Sequence, residues 1–195
     1  MTHDPATLTT SQINRLGRRI RHAAVLDSGD LDLLQSLRSM NAEAMIEVQE
    51  SLHRELEVRP TSRLKTVGTI VDKVKREPSM SLSRMQDIAG LRVVEEIDRV
   101  AQEEMAKRVQ EMYPGSKRTD RREMPSHGYR AIHVVVPVNV CWVEVQLRTR
   151  LQDLWAQLVE RLGDAWGRQI RYGGEPDDPH RFVGGITRID LCRRS

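Results

Sequence analysis

The stretch CWVEVQLRT, Cys141 to Thr149, alternates in a way that separates two kinds of residue. Cys141, Val143, Val145 and Leu147 fall on one side of a strand, and Trp142, Glu144, Gln146 and Arg148 on the other. A carboxylate in mid-strand needs solvent or a compensating partner. The polar side is therefore either the wet face of an ordinary sheet, with Arg148 paired to Glu144, or the floor of a reactive site. Asp87 stands just before the apolar run IAGLRVV, at the mouth of another strand. Two carboxylates on neighbouring strands can hold a hydrated divalent cation against phosphates.

Cations accompany them in pairs. Arg63 and Lys65 are two apart and share a face of extended chain, whereas Lys73 and Arg76 are three apart and share a helix face. Such pairs suit a triphosphate, or form a plain solvated basic surface. Tyr129 follows Gly128 at a strand entrance, and His133 lies four residues on along the same face. A tyrosine ring there could stack on a base, and both residues are equally at home as packing groups. Arg92 and Arg130 complete the polar set.

Other routes to chemistry are missing. The chain contains no GxxxxGK[ST] phosphate loop, no GxGxxG after a strand, no GxSxG elbow and no HExxH helix. The pair His3-Asp4 lacks partner ligands, which argues against a metal phosphohydrolase centre. Cys141 and Cys192 are far apart and form no CxxC, so neither a disulfide framework nor a zinc site is expected. The 195 residues, 38% hydrophobic and 30% charged, are expected to form one globular unit with a helical extension. Because only 4% are aromatic, the core must be aliphatic. A net charge of +3, a pI near 9.1 and an excess of arginine over lysine suit a polyanionic ligand such as a nucleotide or RNA. No apolar run approaches the ~18 residues of a membrane span, and the N-terminus lacks a signal peptide's apolar core. A cytoplasmic protein with no membrane partner is expected.

The elements that must position these residues follow from periodicity. Residues 1–10 read as a frayed tail. Ile13, Leu16 and Ile20 predict a helix over 11–22 with Ser11 as its cap, and DSGD at 27–30 predicts a break. A long helix follows from Leu31, capped by Asp30. Around Pro60 a short strand and loop are expected, then a helix over 66–77 that stops at Pro78. A turn at Asp87–Gly90 leads into a strand at about 91–95, followed by an amphipathic helix over 97–112. GSKRTDRREMPSHG reads as a basic loop with a short edge strand. YRAIHVVVPV and CWVEVQLRT then form a hairpin around Asn139, and a helix covers 150–166. Helices first, then strands mixed with helices, predict an α+β fold.

RLKTVGTIVDKVKR (63–76), DIAGLRVV (87–94), HGYRAIH (127–133) and VEVQLRT (143–149), in this order, resemble the synthetase domain of RelA/SpoT-type alarmone enzymes, especially the small single-domain ones. The resemblance spans Ser62 to Trp155. It implies a mixed five-stranded sheet flanked by helices, related to nucleotidyltransferases. In that frame residues 1–55 are an N-terminal helical extension packed on the core, 56–170 the synthetase core and 171–195 an irregular tail. It implies Mg²⁺-dependent transfer of the β,γ-pyrophosphate of ATP to the 3′-hydroxyl of GDP or GTP. Arg63 and Arg92 would then sandwich the adenine. Lys65, Lys73 and Arg76 would hold the ATP phosphates, with Thr69 where the family usually has serine. Asp87 and Glu144 would bind Mg²⁺, and Glu144 would also take or orient the proton of the attacking hydroxyl. Tyr129 would stack on the acceptor base, with His133, Gln146 and Arg148 fixing phosphates and hydroxyl.

Two departures keep alternatives open. Ahead of Gly128-Tyr129 the family commonly carries a lysine. Here Pro125 lies in REMPSHGY, leaving Arg121 and Arg122 as substitutes. The acceptor could accordingly be an adenine nucleotide or the 3′ end of tRNA, as in toxin members, or the chain could be a non-catalytic nucleotide- or RNA-binding module. The last residues, RFVGGITRIDLCRRS, are short for the helices by which small synthetases assemble tetramers, which leaves homo-oligomerisation open. Neither a hydrolase domain nor a regulatory region is expected in these residues.

Overall fold

The computed structural model describes residues 7–123, 125, 128–167 and 169. The expected tail over 171–195, residues 1–6 with the His3-Asp4 pair, Cys192, and His127 of the HGYRAIH motif lie outside the described residues. Five strands form one mixed sheet, in the order β1-β2-β5-β4-β3. They are β1 (Thr61–Leu64), β2 (Ala89–Glu95), β3 (Lys117–Asp120), β4 (Ile132–Val138) and β5 (Cys141–Thr149). Only β2 and β5 run parallel; the other neighbours are antiparallel. The helices are α1 (Thr10–His22), α2 (Ser28–Leu56), α3 (Val67–Arg76), α4 (Arg99–Met112) and α5 (Arg150–Trp166), with a 3-10 turn at Leu82–Arg84. The fold is α+β, as the order of elements predicted.

The sheet has one dry face. Leu91, Val93, Val134, Val145 and Leu147 are buried there, together with Val48 and Leu52 of α2 and Ala106 and Val109 of α4. Each large aliphatic side chain so buried contributes roughly 1.5–3 kcal/mol. A separate apolar cluster joins α1 through Ile13, Leu16 and Ile20 to Ile70 and Val74 of α3 and Leu82 of the turn. The β4–β5 hairpin turns at Asn139, whose φ of 54° lies in the left-handed region that asparagine tolerates.

Helix starts differ from expectation by a few residues. Thr9, not Ser11, caps α1: its hydroxyl accepts from the Gln12 N–H, and the Gln12 side chain accepts from the Thr9 N–H at 2.8 Å. Asp27, not Asp30, caps α2, accepting from the Asp30 N–H at 2.7 Å. Asp30 instead lies buried in the first turn and receives Arg19 Nε at 2.7 Å. Both aspartates are competent caps, and the Arg19 contact claims one of them. Asp98 caps α4, which therefore starts at Arg99 rather than 97.

At the β3 edge, Glu103 of α4 receives Arg118 through two hydrogen bonds of 2.6 Å, while Asp120 receives Arg118 and Arg122. The Arg118 and Arg122 guanidiniums lower the Glu103 pKa from 4.5 to about 2. A depressed carboxylate pKa means stability that is complete above pH 4.5 and lost as pH falls towards 2. Acid titration of Glu103→Gln should thus show a smaller loss of melting temperature than the unmodified protein across that window. Equal losses would show that Glu103 is not tied to folding.

Candidate functional site

The face of the sheet opposite α2 and α4 collects the polar residues. In the register, Arg63 pairs with Gly90 and Gly90 with Glu144, while Arg92 pairs with Gln146 and Gln146 with His133. A cleft of about 420 Å³ opens over β1, β2 and β5, lined by Arg63, Lys65, Asp87, Gly90, Arg92, Glu144 and Gln146 among others. Its size is at the lower end for a nucleotide-sized ligand. Gly90 leaves the centre of the floor without a side chain.

Asp87 sits just ahead of β2. Its Oδ2 receives Lys73 Nζ at 2.9 Å and lies 3.4 Å from Lys65 Nζ. Burial pushes its pKa up, but the two ammoniums override that and hold it below the ordinary carboxylate range. Asp87 Oδ1 is buried and has no hydrogen-bond partner among the described residues. A buried anionic oxygen without a donor fits a cation. Among the described residues no cluster of three or more histidine, cysteine or carboxylate side chains forms a metal site. A divalent ion held by Asp87 and Glu144 would therefore draw its other ligands from phosphate and water.

Glu144 belongs to a closed ring of hydrogen bonds. His133 Nδ1 lies 2.8 Å from Glu144 Oε1, and Gln146 Nε2 donates to Glu144 Oε2 at 2.8 Å. Arg148 Nη2 donates to Gln146 Oε1 and to the Tyr129 hydroxyl, both at 3.0 Å. The Tyr129 hydroxyl lies 2.9 Å from His133 Nε2. Every bond is satisfied by a neutral histidine protonated on Nδ1, donating to Glu144 and accepting from tyrosine. Burial raises the Glu144 pKa, and the bonds from His133 and Gln146 more than offset it, leaving it lowered. Burial raises that of Tyr129. One face of the Tyr129 ring carries the Arg148 guanidinium, 5.0 Å from its centroid. Gly128, with a φ of 80°, makes the turn into Tyr129, and a Cβ there would meet Trp155 Nε1 at 3.0 Å.

Of the two alternatives for this strand face, the pairing of Glu144 with Arg148 is not what forms. Arg148 turns to Asp153, donating at 2.9 Å, and both side chains are 5% exposed. Asp153 also lies 3.9 Å from Arg92. Asp153 is not singled out in the sequence, where an acid in the first turn of a helix is ordinary because it complements the helix dipole. Its separation of five from Arg148, across the strand-to-helix junction, was the available signal. Gln102 of α4, fully buried, ties the same junction by donating to the Leu147 carbonyl at 2.9 Å.

Not every expected residue reaches the cleft. Arg76 is 70% exposed and faces Glu77 at 3.5 Å. Thr69, also exposed, bonds back to the Thr66 carbonyl at 2.9 Å. Arg122, the expected substitute for the acceptor-loop lysine, is 6% exposed and held by Asp120 and Glu103, so it is not free to meet a ligand. Arg121 remains exposed.

A family profile described as "Region found in RelA / SpoT proteins" matches residues 62–162. The chain belongs to this family. Uncharacterized protein Rv1366 of Mycobacterium tuberculosis is 32% identical over 195 residues, covering 97% of this chain and 70% of its own. The small alarmone synthetase 1 of Bacillus subtilis shares the fold, with a TM-score of 0.55 at 23% identity over 82% of this chain and 93% of that one. The same synthetase has been solved with its product pppGpp bound, matching at a TM-score of 0.52 and 22% identity over 78% of this chain and 86% of that one. Its structure with AMPCPP bound matches at 0.50 and 20% over 81% and 88%. The family segment begins inside β1 and ends within α5, so it contains the whole site face. No helix among the described residues is long and apolar enough to cross a membrane.

Asp153→Asn should cost about 3–5 kcal/mol in urea unfolding, because it leaves Arg148 as a buried charge without its counter-ion. A loss below about 1 kcal/mol would mean that Arg148 draws its compensation from Tyr129 and Gln146 instead.

Proposed function

We propose that the chain transfers the β,γ-pyrophosphate of ATP to the ribose 3′-hydroxyl of GDP or GTP, making (p)ppGpp. One observation carries the reading: Asp87, just ahead of β2, and Glu144, on the adjoining parallel strand β5, are both held ionised and border a single cleft with Lys65, Arg63 and Arg92. Family membership supports it, as does the fold shared with a protein solved with pppGpp and with AMPCPP.

Arg63 and Arg92, both lining the cleft, would hold the adenine between their guanidinium planes. Lys65 and Lys73 take up phosphate charge. The acceptor's 3′-oxygen attacks the β-phosphorus, the new O3′–P bond replaces the bond from that phosphorus to the α-phosphate, and AMP leaves. Glu144, ionised at neutral pH, orients the hydroxyl and accepts its proton, with His133 Nδ1 beside it. Tyr129 offers the ring face not covered by Arg148 to the acceptor base. Mg²⁺ bound by Asp87 and Glu144 would neutralise phosphate charge. Positioning and electrostatics then supply the catalysis, without a covalent enzyme intermediate.

The restraint of Arg122 favours a second acceptor class, since one cation expected for guanosine 5′-phosphates is committed elsewhere. An acceptor screen with labelled ATP over GDP, GTP, ATP and bulk tRNA separates the possibilities. The expected result is label on GDP or GTP. Label on tRNA alone, or on adenine nucleotides alone, would replace the guanine acceptor and keep the chemistry. Binding without any turnover would leave a nucleotide-binding module. Glu144→Gln should lower turnover by about 10²–10⁴-fold while nucleotide binding persists; turnover at the normal rate would remove Glu144 from the mechanism.

A further inference from the structure

Away from the cleft, a polar recess of about 350 Å³ lies between α1 and the loop joining α3 to β2. Arg18 and Arg21 of α1 and Arg84 of the 3-10 turn line it, with Asn14, Ser79 and Ser81, and no carboxylate does. Arg18 and Arg84 are exposed, and neither guanidinium has a partner among the described residues. Arg21 donates through Nη2 to the Met80 carbonyl at 2.7 Å, yet its Nε is buried without an acceptor. An ordinary basic surface leaves its donors in water. Here a donor is withheld from water and left unanswered, beside two further like charges.

The walls are fixed in place. A Cβ on Gly17 would meet Leu82 Cβ at 2.7 Å, so a glycine there is what lets α1 lie this close to the turn. Asn14 Oδ1 accepts from the Ser83 N–H at 3.2 Å, and Trp142 Nε1 donates to the Ser83 carbonyl at 3.2 Å. Trp142, to which the sequence assigned no role, thus fastens the loop from the far side. Three arginines and two serines lining one recess, with no carboxylate among them, suit the oxygens of phosphate groups.

We propose that this recess binds a small anion bearing one or two phosphate groups, at a site separate from the cleft. The loop it would grip runs from the helix of Lys73 to Asp87, so occupancy would bear on the segment that delivers Asp87. The proposal rests on the recess alone and stands whatever the cleft's reaction is.

Titration of the full chain with inorganic pyrophosphate, followed by amide NMR, tests it. The amides of Ser79, Ser81 and Ser83 should shift along a saturable curve with their own Kd, distinct from any response at Gly90 in the cleft. In Arg18→Gln/Arg84→Gln, both changes being at exposed side chains, that Kd should weaken at least ten-fold while the Gly90 response is kept. The same spectra report that the variant is folded. Loop amides that do not shift, that shift only in step with Gly90, or that keep their Kd in the variant would overturn the proposal.

Discussion

The cleft depends on one register, the parallel pairing of β2 with β5, which sets Gly90 beside Glu144 and Arg92 beside Gln146. Side chains alternate with period two, so a slip of one residue would carry Glu144 into the aliphatic core and Val145 into the cleft. The dry face prevents that slip. Leu91, Val143, Val145 and Leu147 are nearly or wholly inaccessible, and turning them outward would forfeit several kcal/mol of burial. Packing of α2 and α4 on one face therefore holds the charges in place on the other.

Those charges are arranged with little slack. Asp87 is held by two lysines, and Glu144 by a histidine and a glutamine. Arg148 spans Asp153, Gln146 and Tyr129, so one buried cation links the helix that follows β5 to the ring around Glu144. Groups fixed before a ligand arrives need little reorganisation during a reaction, which is how such sites gain from electrostatics. Asp153 touches Arg148 directly and lies 3.9 Å from Arg92, so it bears on the ring around Glu144 only through these arginines.

Much of this was legible in the sequence because it follows from short-range rules. The alternation of CWVEVQLRT gave Cys141, Val143, Val145 and Leu147 as its buried side, and the apolar spacing of Ile13, Leu16 and Ile20 gave the buried side of α1. What could not be read was competition between equivalent groups. Asp27 and Asp30 are both caps until Arg19 takes one, and Arg148 has two available carboxylates until the fold brings Asp153 to it. Arg122 offered a free cation in the sequence and is instead neutralised by Glu103, nineteen residues earlier. In each case several partners lie within reach along the chain, and the folded arrangement decides which of them pair.

In the proposed reaction two phosphates leave ATP together for a 3′-hydroxyl. Phosphorus NMR of the protein with Mg²⁺, ATP and GDP follows every phosphate at once. AMP and a 3′-diphosphorylated guanine nucleotide should appear in equal amounts, with no ADP. Accumulation of ADP, whether with free phosphate or with a singly phosphorylated acceptor, would contradict it.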